Sequence, residues 1–127
     1  MTPNNAIFRS LFLVLSGLAS VFDYLPDAQT KYPFIFLGSS SNTLTPVLDF
    51  YGSARQTIHV YAKRTQRSQL DELVSKIHNE ALKLRKGYGY HLDLTGYTEN
   101  LIVDNSDVQP LLHCVIDLTY TFTKEEE

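Results

Sequence analysis

The strongest constraint on the fold is a strict alternation of apolar and polar side chains near the end of the sequence. From residue 112 onward every second residue is apolar, namely Leu112, Cys114, Ile116, Leu118, Tyr120 and Phe122. Because successive side chains of a β-strand point to opposite faces, this spacing predicts one long strand over residues 111–123 with a buried face. A chain of 127 residues has the size of one domain. We therefore expect residues 1–127 to form a single domain built on a sheet.

Residues 1–22 predict an N-terminal helix that could cover this sheet. Thr2 and Pro3 are typical of an N-cap and a first helical position, and apolar residues then recur at helical spacing. A second apolar seam contains Ile7 and Val14, so this helix has more apolar surface than one core can bury, and we expect a partner on that side. Residues 10–22 are too short for a membrane span, which needs about 20 apolar residues. A cleaved signal peptide remains an alternative, and we expect no membrane partner.

Residues 68–84 predict a second helix, capped by Ser68 and closed by Gly87. Its buried stripe comprises Leu70, Leu73, Val74, Ile77, Ala81 and Leu84. Further strands are predicted at residues 34–37 and 55–62, and residues 88–103 form either one bent strand or a hairpin around Thr95-Gly96. This order contains no repeating βαβ unit, so the fold class is α+β. We expect a mostly antiparallel four- to five-stranded sheet packed with two main helices.

Residues 39–53 form a long loop or arm that is rich in small polar residues at its start. The arm carries the apolar residues Leu44, Val47, Leu48, Phe50 and Tyr51. An exposed arm with this much apolar surface needs a partner. An equally weighted alternative is that the segment folds back over its own sheet as a wide β-hairpin. Residues 124–127 (KEEE) are expected to form a flexible acidic tail.

No combination of side chains in the sequence satisfies the requirements of an active site. His113 and Cys114 are consecutive in a predicted strand and leave opposite faces, so they cannot share a metal ion. Cys114 lies among apolar residues, whereas a nucleophilic thiol needs partial exposure and an adjacent base. Gly87 and Gly89 follow a helix instead of opening one, unlike a dinucleotide-binding loop. We therefore expect a protein that is not an enzyme and binds neither a metal nor a cofactor.

The charge balance argues against general nucleic-acid binding. The net charge is −3, whereas such binding needs clustered positive charge. One basic cluster, Lys63, Arg64 and Arg67, follows the strand at 55–62. This cluster is a candidate contact for phosphate or for an acidic partner surface.

The order of elements, together with three segments, resembles the tail-completion or tail-terminator (head-tail joining) proteins of long-tailed bacteriophages and prophages. The segments are YPFIFLG (32–38), RQTIHVYAKRTQRSQLDELVSKIHNEAL (55–82) and HCVIDLTYTFT (113–123). The resemblance implies a structural virion protein without catalytic residues. It also implies an oligomeric ring, usually a hexamer, that caps the tail tube, ends its polymerisation and forms the docking surface for the head connector.

The same resemblance implies the partners and the location. The partners are other copies of the chain, the tail-tube protein and the head connector or stopper protein, while DNA passes through the ring as cargo and is not read. The protein is expected at the tail top or neck of the virion, after synthesis in the bacterial host cytoplasm. Two alternatives stay open: a head-completion or stopper protein of the neck, and a small cytosolic ligand-binding α+β domain.

For a ring, two different patches of each subunit must meet. We expect one patch on the arm and the other on the outer seam of the first helix or on a free sheet edge. The predicted interface residues are Asn42, Thr43, Leu44, Pro46, Val47, Asp49, Phe50 and Tyr51 of the arm, with Ile7 and Val14 of the helix.

Overall fold

A single sheet dominates the computed structural model, which describes residues 1–27, 29–44, 51–104 and 111–125 without the side chains of 44, 51 and 104. Its strands are β1 (Ser20–Phe22), β2 (Phe34–Leu44), β3 (Tyr51–Lys63), β4 (Lys86–Gly87), β5 (Tyr90–Asp104) and β6 (Leu111–Lys124). The helices are α1 (Pro3–Leu15) and α2 (Arg67–Lys83), the second preceded by a short 3-10 turn (Arg64–Gln66). Along the sheet the described strands follow the order β1-β2-β3-β6-β5-β4.

The α+β class and the two main helices are confirmed, but the sheet is larger than predicted. The described residues form six strands in place of four or five. The sheet is also mixed, because β1 runs parallel to β2 while all other neighbours are antiparallel. The two additional strands, β1 and β4, span only three and two residues, which is too short to produce a period in the sequence.

The core lies between the sheet and the two helices, as the two periodic patterns predicted. The alternating apolar residues of β6, from Leu112 to Phe122, are all buried, and so is the predicted stripe of α2. On β3, Ile58, Val60 and Ala62 fill the same layer. The buried hydroxyl of Tyr120 donates a hydrogen bond to the carbonyl oxygen of Ala81 at 2.7 Å. This bond fixes the C-terminal end of α2 on the middle of the sheet.

The first helix is shorter than predicted, because it ends at Leu15 and residues 20–22 form β1 instead. Ser16 and Gly17 follow the helix directly, and both residue types favour helix ends over helix interiors. Val21 and Phe22 then prefer a strand. Thr2 caps the helix as predicted, since its hydroxyl accepts a hydrogen bond from the Asn5 amide.

The second helix begins and ends differently from the prediction. It starts at Arg67, so Ser68 lies inside the helix, and the preceding turn is closed by Gln66, whose side-chain oxygen accepts from the Lys63 amide at 2.9 Å. The helix ends at Lys83, and Gly87 belongs to β4 instead of the helix cap. Gly87 lies directly against Ser10 of α1. Glycine at this position therefore allows a close helix–strand contact.

Residues 88–103 adopt the single-strand alternative, and the acidic tail is partly fixed. β5 runs unbroken to Asp104, with its register against β6 shifted between Leu94 and Gly96 by a bulge. Lys124 ends β6 and the Glu125 amide donates to the Gly89 carbonyl. Residues 124 and 125 are thus hydrogen-bonded to the sheet, residues 126 and 127 lie outside the described residues, and the flexibility of the tail stays a prediction.

Candidate assembly surfaces

The predicted arm is a hairpin over the part that the structure describes. Residues 39–44 extend β2 and residues 51–53 open β3, and the two strands pair as far as Leu44 with Gly52. This is the hairpin alternative for residues 39–44 and 51–53. The side chains of Asn42 and Thr43 are exposed. The predicted interface residues Pro46, Val47, Asp49 and Phe50 lie outside the described residues, as do the side chains of Leu44 and Tyr51.

The base of this hairpin is attached to the first helix through Asn4. Its side-chain amide donates to the carbonyl oxygen of Ser41 at 2.9 Å, and its side-chain oxygen accepts from Asn42 Nδ2. The two contacts hold the start of α1 beside the outer strand of the hairpin. Asn42 is therefore engaged within its own chain, although it remains exposed.

The outer seam predicted on the first helix does not exist in the expected form. Ile7 is only 2% exposed and belongs to the core, so it cannot serve as a partner contact on the folded subunit. Val14 is half-buried and packs against that core. The larger exposed apolar residue on α1 is Leu13, at 66%. Sequence periodicity underestimated how far the sheet and α2 surround the helix.

The basic cluster is split between three elements at the start of α2. Lys63 ends β3 and is half-buried, Arg64 opens the 3-10 turn, and Arg67 is the first residue of α2. Arg67 also borders a groove of about 410 Å³ between α2 and β5. Glu99 lies across this groove and Asp71 on the same helix. The groove therefore carries both signs of charge, and the phosphate or partner contact remains a prediction.

Cys114 faces the helix side of the sheet and His113 the opposite side, as the alternation predicted. Cys114 is 4% exposed as a residue and is buried. Burial raises its pKa to about 11, and the negative charge of Glu99 acts in the same direction. A thiol with this pKa stays protonated near neutral pH, and only the thiolate is a good nucleophile.

The helix-free face of the sheet carries a stack of aromatic rings and two histidines. His59 Nδ1 and His113 Nε2 are 2.8 Å apart and share one hydrogen bond. Tyr61 stacks on His113 with ring centroids 4.2 Å apart, and Phe36 stacks on His59 at 5.2 Å. Burial lowers the pKa of His59, and the negative charge of Asp117 opposes this effect. The sequence placed His59 on this face but gave no signal for its pairing with His113.

Beside the histidines, Asp117 organises a small polar cluster. It accepts a hydrogen bond from Thr57 Oγ1 at 2.7 Å and pairs with the Arg55 guanidinium at 3.3 Å. The Arg55 side chain is 58% exposed. Because exposed ion pairs contribute little, we regard Asp117 as a positioning group for its neighbours on β3.

Apolar side chains are exposed near the two ends of the sheet. At one end Leu101, Ile102 and Val103 of β5 are 42%, 43% and 44% exposed. β4 covers β5 only at Tyr90 and His91, so no described strand pairs with the outer edge of residues 93–103. At the other end β1 pairs only with β2 among the described strands, and it is followed by Tyr24 and Leu25, each 61% exposed. No sequence pattern indicated β1, and the sequence analysis did not single out the triplet at 101–103.

Among the described residues, no group of three His, Cys, Asp or Glu side chains is placed to hold a metal ion. Nor does either described helix have the length and apolar character required to cross a bilayer.

Comparison with solved structures shows a likeness in fold, whereas comparison of the sequence does not. No protein-family model matches this sequence, and no curated protein is significantly similar to it. A solved chain that is described as part of the virion of a native gene transfer agent (GTA) particle has the same fold, with a TM-score of 0.62 at 13% sequence identity. The match covers 98% of this chain and 95% of that chain. The two chains therefore share an architecture over almost their whole lengths.

Proposed function

We propose that this chain is a structural virion protein that caps a tail tube as an oligomeric ring. In this role it ends the polymerisation of the tube and presents the surface on which the head connector docks. The supporting observation is the shared fold with a virion component, which extends over 98% of this chain and 95% of the other.

The surface of the subunit is consistent with assembly. Five exposed apolar side chains lie at the two opposite ends of one sheet: Tyr24, Leu25, Leu101, Ile102 and Val103. Soluble monomers protect such sheet edges with charges, prolines or covering segments, because unpaired strands attract other strands. A ring of identical subunits needs two different patches on each subunit. The net charge of −3 also suits a channel through which DNA must pass without binding.

The test is deletion of the coding sequence in cells that produce the particle, followed by electron microscopy of the products. A protein that ends the tube leaves tails of uncontrolled length without heads when it is lost. Restoring the wild-type chain should return the normal length distribution. Tails of normal length that attach to heads in the deletion strain would contradict the proposal.

A head-completion or stopper protein is the second candidate, because virion proteins of the neck share the requirement for small assembling subunits. The same experiment separates the two roles. Loss of a stopper leaves tails of normal length that fail to join heads, whereas loss of a terminator changes the length itself. Gold labelling of the chain in intact particles should mark the junction between tail and head in both cases. A label elsewhere in the particle would exclude both roles.

A further inference from the structure

We propose that neighbouring copies join by strand pairing, with β1 of one copy adding to the free edge of β5 in the next. This contact rests on the proposed function, since it specifies how the ring would form. It keeps the free sheet edge that the sequence analysis gave as an alternative for one patch, but neither the arm nor the seam of α1 takes part. The occupant of the β5 edge is thus a second copy of this chain.

The register of the sheet places the two edges at the same level. Followed strand by strand, Val21 pairs with Ile35, Ile35 with Val60, Val60 with Cys114, and Cys114 with Leu101. Across the same strands, Ser20 is aligned with Ile102 through Phe34, Tyr61 and His113. A copy placed beside the first in the same orientation therefore brings its β1 alongside the exposed triplet of β5.

The strand directions also fit. β1 runs parallel to β2, and three antiparallel steps then lead through β3 and β6 to β5. β1 and β5 consequently run in opposite directions. The junction between two copies is antiparallel, and it repeats the pairing used by most of the sheet.

The helix side of the junction is apolar, whereas on the other face the apolar Ile102 lies at the level of the polar Ser20. Val21 and Leu101 lie on the helix side of the sheet, where their register partners Ile35, Val60 and Cys114 are buried. Ile102 lies on the opposite face, at the level of the aromatic stack. The β5 edge exposes apolar residues on both faces of the sheet. An added strand can cover both, because the side chains of that strand also alternate between the two faces.

The other free edge fits a second copy less well. Residues 39–43 of β2 are all polar, and the Ser41 carbonyl already accepts a hydrogen bond from Asn4. Such features are typical of an edge that is protected from strand addition. The β5 edge has no comparable protection at residues 101–103.

Disulfide trapping tests the contact directly. Ser20 and Ile102 are both exposed, so the double variant S20C/I102C should fold normally and form a ladder at multiples of 14.5 kDa on non-reducing gels. The pair S20C/N100C tests a register shifted by two residues. Single variants S20C and I102C should remain monomeric, and wild type controls for the buried Cys114. Oxidation is carried out both on purified protein and on assembled particles.

Two outcomes overturn the inference. Dimers formed by I102C alone would show two-fold pairing of β5 with itself, and the absence of a ladder for both pairs in both preparations would exclude the contact. The result is separable from the proposed function. If variant particles give a ladder but the deletion strain makes tails of normal length, the contact is retained and the proposed function is rejected. If the deletion strain makes overlong tails but no ladder forms, the function is retained and the contact is rejected.

A charge substitution provides the second measurement. Lysine on an edge strand opposes strand addition, so L101K/V103K should lower incorporation into particles by more than about tenfold while the purified subunit keeps its melting temperature. L82K is the matched control, since Leu82 is 48% exposed on α2, away from the edge. Normal incorporation of L101K/V103K would overturn the inference even if the ladder experiment were ambiguous in register.

Discussion

The hydrogen bond between Tyr120 and Ala81 gives a sharp test of how α2 is held on the sheet. Tyr120→Phe keeps the ring and its volume, so no cavity forms and only the hydroxyl is lost. The Ala81 carbonyl keeps a second donor, because the Leu84 amide lies 3.4 Å away. The carbonyl is therefore not orphaned, and the cost should approach the net value of one buried hydrogen bond, about 1 kcal/mol.

For a domain of this size, a loss of about 1 kcal/mol corresponds to a melting temperature lower by roughly 3–5 °C. Urea denaturation followed by circular dichroism at pH 7 should show a reduced midpoint with an unchanged slope. Burial raises the pKa of the Tyr120 hydroxyl, so its proton stays in place under these conditions.

Tyr90→Phe is the matched control for this measurement. The Tyr90 hydroxyl donates to the Met1 carbonyl at 2.9 Å, but Met1 is 59% exposed and water can replace the lost group. We expect a change below about 0.5 kcal/mol. Equal effects of the two substitutions would refute the reasoning that burial decides the difference. A loss above about 3 kcal/mol for Tyr120→Phe would show that the Ala81 carbonyl has no effective second donor.

Three further outcomes are expected. Burial lowers the pKa of His59, so as the pH falls the unfolded chain binds a proton at this residue before the folded chain does. The free energy of unfolding should therefore decrease from about pH 6.5 down to the lowered pKa of the folded state. Urea titrations at several pH values should show a weaker pH dependence for His59→Gln. Gly87→Ala would place a methyl group against Ser10 Oγ and should destabilise the fold by about 1–3 kcal/mol in thermal melting. The double variant with Ser10→Ala should recover most of this loss, and its failure to do so would contradict the steric explanation. Cys114 should react with a thiol reagent at least about tenfold more slowly in the native state than in urea, and equal rates would show that its burial is not maintained.

The sequence predicted those elements whose signal is local and periodic. The alternation of β6 and the stripe of α2 each extend over many residues, and both faces are buried as the periods indicate. β1 and β4 are too short to show any period. The predicted helix over residues 1–22 included all of β1, because Val21 and Phe22 continue the apolar spacing of the helix.

The bulge in β5 explains why residues 88–103 stayed ambiguous. Before it, the even-numbered Leu92 and Leu94 face the helices, whereas after it the odd-numbered Tyr97 and Leu101 occupy the register positions opposite Leu118 and Cys114. One inserted residue reverses the phase of the alternation, so the pattern resembles two strands. The paired histidines were missed for a different reason, since no local pattern brings residues 59 and 113 together.

The parallel pairing of β1 with β2 has a consequence for symmetry. It makes β1 antiparallel to the free edge of β5. In the proposed contact, copies joined through these two edges all keep the same orientation. A closed ring built only from such identical, unidirectional junctions has a rotation axis but no perpendicular two-fold axis. Its upper and lower rims are consequently different surfaces, and a single gene product can offer one rim to each of two unlike neighbours.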